Sequence, residues 1–455
     1  MFDPGSFNGG AWLADDDYGR SLTYGGLGDA VAHLGYDQLG GKRLVVIRGE
    51  NSCAFLEHYI AAHLAGHAIL LVSADASEDV VADYRIRFRP DRWVECSDGK
   101  ADVTDSPQSG EDIHPKLSMM LSTSGSTGEP KFARFTADAM RANALSIIDY
   151  LDIDSAERAL AHLPIQYSYG VSILNSHILA GAGLVLTNRS MMERSYWDRF
   201  ERATSFSGVP FHYDMLERLR VFRRELPMMR TFTQAGGAMP AEQVRRFAEA
   251  SQAAGKRLVV MYGQTEAAPR LAYLPPDDTI AHAGTIGVAI PGVELKLEAD
   301  GGAVPDGEEG ELVARSPSIT WGYAASREDL GKGDEFGGVL RTGDLARREP
   351  SGYLRITGRM SRFIKLQGNR VNLAAVEQRL LTAGYPVVCA GNDNQLYIVT
   401  DDAEAVEAIE EFVLDGFEFA ARAFTVVNLP TLPRNASQKP DYPAILAAVE
   451  SAAGS

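Results

Sequence analysis

The chain has 455 residues, of which 45% are apolar, and a net charge of −17. That length allows two or three domains with a sizeable core. The negative charge argues against nucleic acid and anionic membranes as partners. The sequence has no run of the ~18 apolar residues that a membrane span needs, and its first residues lack the pattern of a secretory signal. We therefore expect a cytoplasmic protein that does not insert into a membrane.

Cysteine and histidine spacing predicts neither a disulfide framework nor a metal site. The three cysteines are far apart and odd in number, which is typical of reduced thiols: Cys53, Cys96 and Cys389. Three histidines lie close together, but only His63 and His67 share a helical face, while His58 does not. We interpret this stretch as a partly exposed helix.

Between residues 44 and 262, short apolar runs alternate with amphipathic stretches. The apolar runs predict buried strands at 44–47, 68–72, 117–121, 184–186 and 258–261. The amphipathic stretches predict helices at 51–65, 137–150, 171–180, 213–224 and 241–254. Because this alternation is the pattern of parallel α/β layers, we predict an α/β fold.

The pattern changes after residue 284. Residues 284–357 have glycine-rich turns and short alternating strands, and they predict a β-rich subdomain within an N-terminal domain spanning 1–360. Residues 361–455 predict a small α+β domain, with helices at 373–383 and 403–414 and strands at 396–399 and 424–427. We expect the Ala-, Gly- and Ser-rich tail at 446–455 to be frayed.

Residues 122–131 read Ser-Thr-Ser-Gly-Ser-Thr-Gly-Glu-Pro-Lys and follow a predicted strand. Glycines let the backbone curl so that successive N–H groups point inward, and the hydroxyls add donors. Such a concavity suits a polyphosphate, with Lys131 supplying positive charge. The loop differs from the common G-x-x-x-x-G-K-[ST] motif, because Pro130 separates the last glycine from the lysine. A flexible Ser/Gly-rich linker is the alternative interpretation.

Six further polar motifs follow this loop. They read Gln-Ala-Gly-Gly-Ala-Met at 234–239, Tyr-Gly-Gln-Thr-Glu-Ala at 262–267, Arg-Thr-Gly-Asp-Leu at 341–345, Gly-Tyr-Leu-Arg-Ile-Thr-Gly-Arg at 352–359, Lys-Leu-Gln-Gly-Asn-Arg at 365–370 and Pro-Arg-Asn-Ala-Ser-Gln-Lys-Pro at 433–440. In this order and spacing, the motifs resemble those of the adenylate-forming superfamily, which includes acyl-CoA synthetases, peptide-synthetase adenylation domains and firefly luciferase. The resemblance extends from about residue 117 to residue 442. Each motif is weak alone, but together they are specific.

This resemblance implies a two-step reaction. A carboxylate attacks the α-phosphorus of ATP and releases pyrophosphate, and a thiol then takes the acyl group from the acyl-adenylate. Because the carboxylate and the phosphate are both anions, catalysis depends on positioning and on positive charge. The implied cofactors are ATP and Mg²⁺, and the implied acceptor is CoA or the phosphopantetheine of a separate carrier protein acting in trans.

The resemblance also implies a role for each motif. The phosphate loop would hold the β- and γ-phosphates, Thr265 the α-phosphate and Glu266 a Mg²⁺ ion, which prefers oxygen ligands. Asp344 would bind the ribose hydroxyls through its two carboxylate oxygens, and Lys439, from a small mobile domain hinged at Ser361, would carry the adenylation step. The other implied nucleotide-binding residues are Ser122, Thr123, Ser124, Gly125, Ser126, Thr127, Gly128, Lys131, Gly236, Gly237, Ala238, Tyr262, Gly263, Gln264 and Arg359, with Tyr262 stacking on the adenine.

Domains that activate α-amino acids carry an aspartate that pairs with the substrate ammonium. The matching position here is Ser168, which is neutral and would leave a buried ammonium unpaired at high cost. We therefore expect a small carboxylic acid without an α-amino group. The candidate pocket residues are Tyr167, Ser168, Ser172, Gly208 and Val209.

The chain departs from the family pattern in three places. Ser361 stands where the hinge is usually Asp or Lys, Gln438 replaces the glycine before Lys439, and Phe132 replaces the glycine after Pro-Lys. Two alternatives remain open at this point: an adenylase that passes the acyl group to an amine or another non-thiol nucleophile, and a degenerate ATP- or AMP-binding protein without turnover. The joint presence of Lys439, Glu266 and Asp344 argues against the degenerate protein.

Overall fold

A computed structural model describes residues 11–106, 113–123, 131–299, 302–360, 362–366, 369–392, 395–417, 421–435 and 439–453. The α-helices in chain order are α1 (Tyr24–Ala32), α2 (Cys53–Leu64), α3 (Glu78–Phe88), α4 (Ala137–Leu151), α5 (Ser168–Leu179), α6 (Arg194–Phe200), α7 (Pro210–Arg218), α8 (Ala241–Ala253), α9 (Leu373–Thr382), α10 (Val406–Gly416) and α11 (Tyr442–Ala453).

The strands in chain order are β1 (Trp12–Asp15), β2 (Ser21–Thr23), β3 (Leu44–Gly49), β4 (Ala68–Ser73), β5 (Arg92–Ser97), β6 (Lys100–Asp105), β7 (Leu117–Thr123), β8 (Lys131–Thr136), β9 (Arg158–Ala161), β10 (Gly183–Leu186), β11 (Ser205–Gly208), β12 (Thr231–Gln234), β13 (Arg257–Tyr262), β14 (Ala272–Leu274), β15 (Val288–Ala289), β16 (Glu294–Ala299), β17 (Gly302–Ala303), β18 (Glu309–Arg315), β19 (Tyr323–Ala324), β20 (Val339–Arg348), β21 (Leu354–Arg359), β22 (Phe363–Leu366), β23 (Asn369–Asn372), β24 (Val388–Gly391), β25 (Leu396–Thr400) and β26 (Phe424–Asn428).

Two large sheets carry the N-terminal part of the chain. One has nine strands in the order β15-β14-β13-β12-β11-β9-β10-β1-β2, and the strands from β13 to β1 run parallel. The other has seven strands in the order β19-β8-β7-β4-β3-β5-β6, with β7, β4, β3 and β5 parallel. The predicted α/β class is confirmed.

Helices α2 and α5 lie inside the molecule, in the core that the inner faces of both sheets share. The Tyr59 hydroxyl on α2 donates to the Asn175 side chain on α5 at 2.7 Å, which joins the two helices. The expectation of a partly exposed histidine helix is therefore wrong, because nearly every residue of α2 is buried.

Two histidines of this region contact hydroxyl groups of the core. His58 lies 2.8 Å from the Tyr36 hydroxyl, and His63 lies 3.2 Å from the Ser118 hydroxyl. Burial lowers the pKa of His58 to about 4, so its imidazole is neutral at pH 7. Within the described ranges, no group of histidine, cysteine and acidic side chains has a geometry that could hold a metal ion.

A third sheet, β17-β16-β18-β20-β21, is antiparallel throughout and covers most of the predicted β-rich region. The residues beyond 362 form two smaller sheets, β22-β23 and β24-β25-β26, with α9, α10 and α11. Their apolar side chains form two clusters that contain residues from this part of the chain alone.

Two local predictions are wrong. The helix predicted at 213–224 is α7, which begins at Pro210 and is followed by a 3-10 turn at Val221–Arg223, because Arg220 between them has a left-handed backbone (φ 52°). The tail predicted to be frayed contains α11, whose Ile445 and Val449 are fully buried against β24 and β25.

The three cysteines are buried free thiols. In the part of the chain that the structure describes, every helix is too short or too polar to serve as a membrane span.

Candidate active site

The polar motifs meet because three parallel strands end side by side. Strands β11, β12 and β13 are paired in parallel. Their last residues, Gly208, Gln234 and Tyr262, therefore lie at one edge of the nine-stranded sheet. In open parallel sheets, ligands bind at the carboxyl edge of the strands. The predicted motifs at 234–239 and 262–267 occupy this edge.

The loop after β12 requires its glycines. Gly236 has φ +80°, and a Cβ atom on it would lie 3.0 Å from Val209 Cγ1. A Cβ on Gly237 would lie 3.2 Å from the Pro210 ring, and the Gln234 side-chain amide donates to the Gly237 carbonyl at 2.8 Å. The loop thus packs closely on the start of α7, while Gly237 and Ala238 stay exposed on its open side.

Asp344 lies between two partners on neighbouring elements. The Tyr262 hydroxyl donates to Asp344 Oδ2 at 2.5 Å, and Arg359 Nε lies 3.4 Å from Oδ1. Arg359 is the direct partner of Asp344 in the pairing of β20 with β21. Burial raises the pKa of the Asp344 carboxyl, while the Arg359 charge and the Tyr262 hydroxyl oppose that change.

Thr265 and Glu266 form a 3-10 turn directly after β13. Gly263 before them must lack a side chain, because a Cβ would overlap the Pro269 carbonyl oxygen. Glu266 Oε1 accepts a hydrogen bond from the Tyr323 hydroxyl at 2.9 Å, and the Thr320 amide donates to the Glu266 carbonyl at 2.7 Å. The Glu266 side chain is therefore held from the segment that includes β19.

Lys439 reaches this region from the C-terminal part of the chain. Its Cε would lie 3.9 Å from a Cβ built on Gly236. Asn435 holds its backbone, since the Lys439 amide donates to Asn435 Oδ1 at 3.1 Å and the Asn435 amide donates to the Lys439 carbonyl at 2.9 Å. Lys439, from the C-terminal part of the chain, therefore lies close to the glycine loop after β12.

Opposing effects act on the ammonium of Lys439. Lys439 is exposed to solvent, yet the protein atoms near its ammonium lower its pKa by desolvation, and the Arg359 charge lowers it further. The charges of Glu266 and Asp344 act in the opposite direction. Lys439 therefore lies within electrostatic range of Arg359, Glu266 and Asp344.

Comparisons with known proteins identify the family of the chain. The sequence model of the family described as "AMP-binding enzyme" matches residues 78–324, more than half of the chain. The chain belongs to the AMP-binding enzyme family. The predicted resemblance is confirmed, and this AMP-binding enzyme is an adenylate-forming ligase.

Two curated relatives illustrate the family. The chain is 27% identical over 386 residues to a feruloyl-CoA synthase of an Amycolatopsis species, a match covering 79% of this chain and 74% of the relative. It is 28% identical over 362 residues to a 2-succinylbenzoate–CoA ligase of Bacillus cereus, with 74% of this chain and 72% of the relative covered.

Solved structures share the fold. The o-succinylbenzoate coenzyme A synthetase of Bacillus subtilis, in complex with AMP, superposes with a TM-score of 0.78 at 20% identity and covers 97% of this chain and 96% of its own. ATP-bound MatB of Rhodopseudomonas palustris gives a TM-score of 0.77 at 20% identity, with 96% of this chain and 95% of its own covered.

Parts of the predicted phosphate site and the hinge lie outside the described residues, namely Ser124, Gly125, Ser126, Thr127, Gly128 and Ser361. The structure describes the residues on either side, Thr123 and Lys131. Thr123 closes β7 and its hydroxyl donates to the carbonyl of Lys131, its partner at the start of β8, at 3.0 Å. Lys131 is exposed. The two residues that flank the part of the predicted loop outside the described residues are therefore paired at the ends of β7 and β8.

The candidate pocket residues of this AMP-binding enzyme differ in what they contact. Ser168 Oγ lies 3.2 Å from Thr265 Oγ1, and Val209 lies against Gly236, so both border the nucleotide motifs. The Ser172 hydroxyl donates to the Tyr169 carbonyl of its own helix at 2.7 Å. Gly208 packs under the ring of Phe206. Tyr167, half-buried, is the residue before α5.

Tyr323 was not predicted from the sequence. It reaches Glu266 because β19 pairs with β8, the strand that follows the phosphate loop, with Tyr323 opposite Ala133. That pairing joins residues almost two hundred positions apart, and no local periodicity indicates it.

Proposed function

We propose that this enzyme activates a carboxylic acid without an α-amino group as an acyl-adenylate, releases pyrophosphate, and transfers the acyl group to the thiol of CoA. The observation that carries the proposal is that Lys439, from the C-terminal part, lies against Gly236 of the loop after β12, where the charges of Glu266 and Asp344 act on its ammonium. The matched CoA ligases support CoA as the acceptor.

In the proposed adenylation step, Lys439 compensates for the repulsion between the attacking carboxylate and the α-phosphate. Among the described residues, no carboxylate forms an ion pair with the Lys439 ammonium. The ammonium is therefore available to the substrate carboxylate and the α-phosphate. At about 4 Å and an effective dielectric constant of 20, one such charge contributes ~4 kcal/mol, or roughly a thousandfold in rate.

The ATP would be held by groups that are already oriented. The Asp344 carboxylate suits the two ribose hydroxyls, which are donors at matching spacing, and its bond to Tyr262 fixes its direction. Thr265 borders the same space and would bind the α-phosphate, while the hydroxyl-rich loop and Lys131 would bind the outer phosphates.

The Glu266 carboxylate fits a Mg²⁺ site. It accepts from a neutral tyrosine hydroxyl, which leaves oxygen lone pairs for a hard cation. When bound, Mg²⁺ supplies charge that neutralises the phosphates. Tyr323 orients the carboxylate for that role.

We further propose that residues 1–360 act as the fixed domain and residues 361–455 as a lid that moves about Ser361. The separate apolar clusters of the C-terminal part support this division, since a lid must keep its fold when it leaves the site. Moving the lid would withdraw Lys439 after adenylation and give the thiol access to the acyl-adenylate.

The neutral Ser168 supports an acid without an α-amino group. Its hydroxyl is bonded to the Thr265 hydroxyl beside the proposed α-phosphate position, so this position offers an ammonium a neutral oxygen in place of a compensating charge.

The test is a pyrophosphate-release assay over aryl, short-chain, long-chain and α-amino acids, followed by addition of CoA, a phosphopantetheinylated carrier protein, or an amine. We expect release with an acid that lacks an α-amino group, and a thioester with CoA. Product formation with the amine alone would contradict the proposed acceptor. ATP binding without pyrophosphate release from any acid would indicate a binding protein without turnover.

A further inference from the structure

Arg270 is buried beside the nucleotide motifs. It follows the Thr265–Ala267 turn and is 4% exposed. The Asn143 side-chain amide donates to the carbonyls of Ala267 and Arg270 at 3.3 and 3.2 Å, so helix α4 fixes this segment. The backbone that carries Arg270 is therefore held on the inner side of the site.

The guanidinium of Arg270 is surrounded by neutral groups. It lies 4.1 Å from the centre of the Tyr169 ring and close to the Tyr150 hydroxyl. Burial raises the pKa of both tyrosines, so their hydroxyls stay uncharged. Arg270 Nε is buried without a hydrogen-bond partner, and no described carboxylate forms an ion pair with the guanidinium.

The other buried arginines of the described chain provide an internal comparison. Arg92 pairs with Asp105 at 2.7 Å, Arg134 with Glu335 at 2.7 Å and Arg327 with Asp91 at 3.1 Å. Each of these three has a carboxylate from the protein. A buried charge without a counter-ion is costly, so Arg270, unlike the other three, is a candidate to bind the anion of a ligand.

Arg270 lies beside the motif that contains Thr265. A Cβ on Gly263 would be 2.9 Å from Arg270 Cα, which places Arg270 against the Tyr-Gly-Gln-Thr-Glu motif. Tyr169, the ring under the guanidinium, directly follows Ser168, whose hydroxyl contacts Thr265. The acid to be activated must place one carboxylate near Thr265 and Lys439, and its remainder would extend toward this side.

We propose that Arg270 binds a second carboxylate of the acid, and that the preferred substrates are therefore small dicarboxylic acids. This inference rests on the proposed function. The fork of guanidinium donors matches a carboxylate in a bidentate geometry. Tyr169 would fix the plane of the fork, because its hydroxyl is held by the Thr233 hydroxyl at 3.0 Å and by the Thr233 carbonyl at 3.1 Å.

A monocarboxylic acid of the same length would leave Arg270 without its anion. Sites built to bond a polar group strongly reject analogues that lack the group. We therefore expect kcat/KM for a dicarboxylic acid to exceed that for the matched monocarboxylic acid by about a hundredfold or more.

The experiment measures pyrophosphate release with matched acids: dicarboxylic acids from malonate to suberate and the benzenedicarboxylates, each against the monocarboxylic acid of the same skeleton. Arg270→Met and Arg270→Lys are compared with the native chain, and Arg246→Met, a change at an exposed arginine of α8, is the control. Diacid-induced thermal stabilisation, measured with ATP present, gives a readout independent of turnover.

We expect the preference for diacids to fall to about equality in Arg270→Met, to fall partly in Arg270→Lys, and to persist in Arg246→Met. Loss of diacid-induced stabilisation in Arg270→Met, with ATP binding unchanged, would agree. Equal kcat/KM for mono- and diacids in the native chain would overturn the inference and leave the proposed function intact, even if a variant fails to fold. Failure to activate any acid would instead overturn the proposed function.

Discussion

The two sides of the candidate site are built differently. On the side of the large sheets, each acidic group is bonded to a tyrosine from another element: Asp344 to Tyr262 at 2.5 Å, and Glu266 to Tyr323 at 2.9 Å. On the C-terminal side, Lys439 is fixed through backbone bonds to Asn435 within its own loop.

This difference separates positioning from charge delivery. Groups that bind the nucleotide gain from being oriented before it arrives, since no reorganisation is then needed during the reaction. A side chain that takes part in only one half-reaction is better placed on a mobile element, which can withdraw it from the site before the other half-reaction. The comparison predicts that changes at Lys439 affect one step, whereas changes at the tyrosine-bonded acids affect nucleotide or metal binding.

The largest effect is expected for Lys439→Ala. Loss of the ammonium should slow adenylate formation from acid and ATP by about a hundredfold or more, and leave thioester formation from supplied acyl-adenylate nearly unchanged. Single-turnover assays of each half-reaction measure this. Lys296→Ala, at an exposed lysine of β16, is the matched control. Equal losses in both half-reactions would contradict the proposed division between the two sides.

Asp344→Asn should have the next largest effect. The substitution removes the charge that strengthens the bonds to the ribose hydroxyls, and we expect ATP binding to weaken by roughly 10- to 100-fold, or ~1.5–3 kcal/mol. Calorimetric titration with ATP measures it. Asp278→Asn is a close control, since Asp278 accepts from the Tyr353 hydroxyl at the same 2.5 Å. Unchanged ATP affinity in Asp344→Asn would remove Asp344 from the ribose site.

Tyr323→Phe tests whether the tyrosine orients a metal ligand. It removes one hydrogen bond to a charged group, which contributes ~1.5–3 kcal/mol, so the Mg²⁺ concentration for half-maximal adenylation should rise by about tenfold. A Mg²⁺ titration of wild-type and variant activity measures the change. Tyr353→Phe, which breaks a tyrosine–carboxylate bond elsewhere, should leave that concentration unaltered.

The smallest effect is a displacement along the pH axis. Desolvation and the Arg359 charge lower the pKa of Lys439, and the proposed adenylation step needs its protonated form. Activity should therefore fall with rising pH sooner than for a lysine of ordinary pKa, 10.5. The kcat/KM profile of the free enzyme reports this. The Lys439→Arg variant keeps its positive charge to higher pH. On the alkaline limb of the profile, its kcat/KM should therefore begin to fall at a higher pH than that of the native enzyme. Coincident limbs would show that another group titrates.

The sequence predicted those parts of the site that depend on local motifs. The loop after β12 and the turn at Thr265 follow buried strands, and the motifs mark them directly. Tyr323 and Arg270 were not predicted, because their contacts join distant segments: Tyr323 through the pairing of β19 with β8, and Arg270 through its position over the Tyr169 ring.

Fold predictions failed for a related reason. Helix α2 was expected at a surface, but a second layer of sheet covers it, and periodicity does not report how many layers surround a helix. Helix α11 was missed because its Ala-rich composition resembles a flexible tail, although Ile445 and Val449 anchor it.

The central claim is that a lysine from the C-terminal part completes a nucleotide site preformed on the large sheets. The most direct measurement is a crystal structure with Mg²⁺ and a non-hydrolysable ATP analogue. We expect the ribose on Asp344, the metal on Glu266 and Lys439 within hydrogen-bond distance of the α-phosphate. A nucleotide bound away from Asp344 and Thr265 would contradict it.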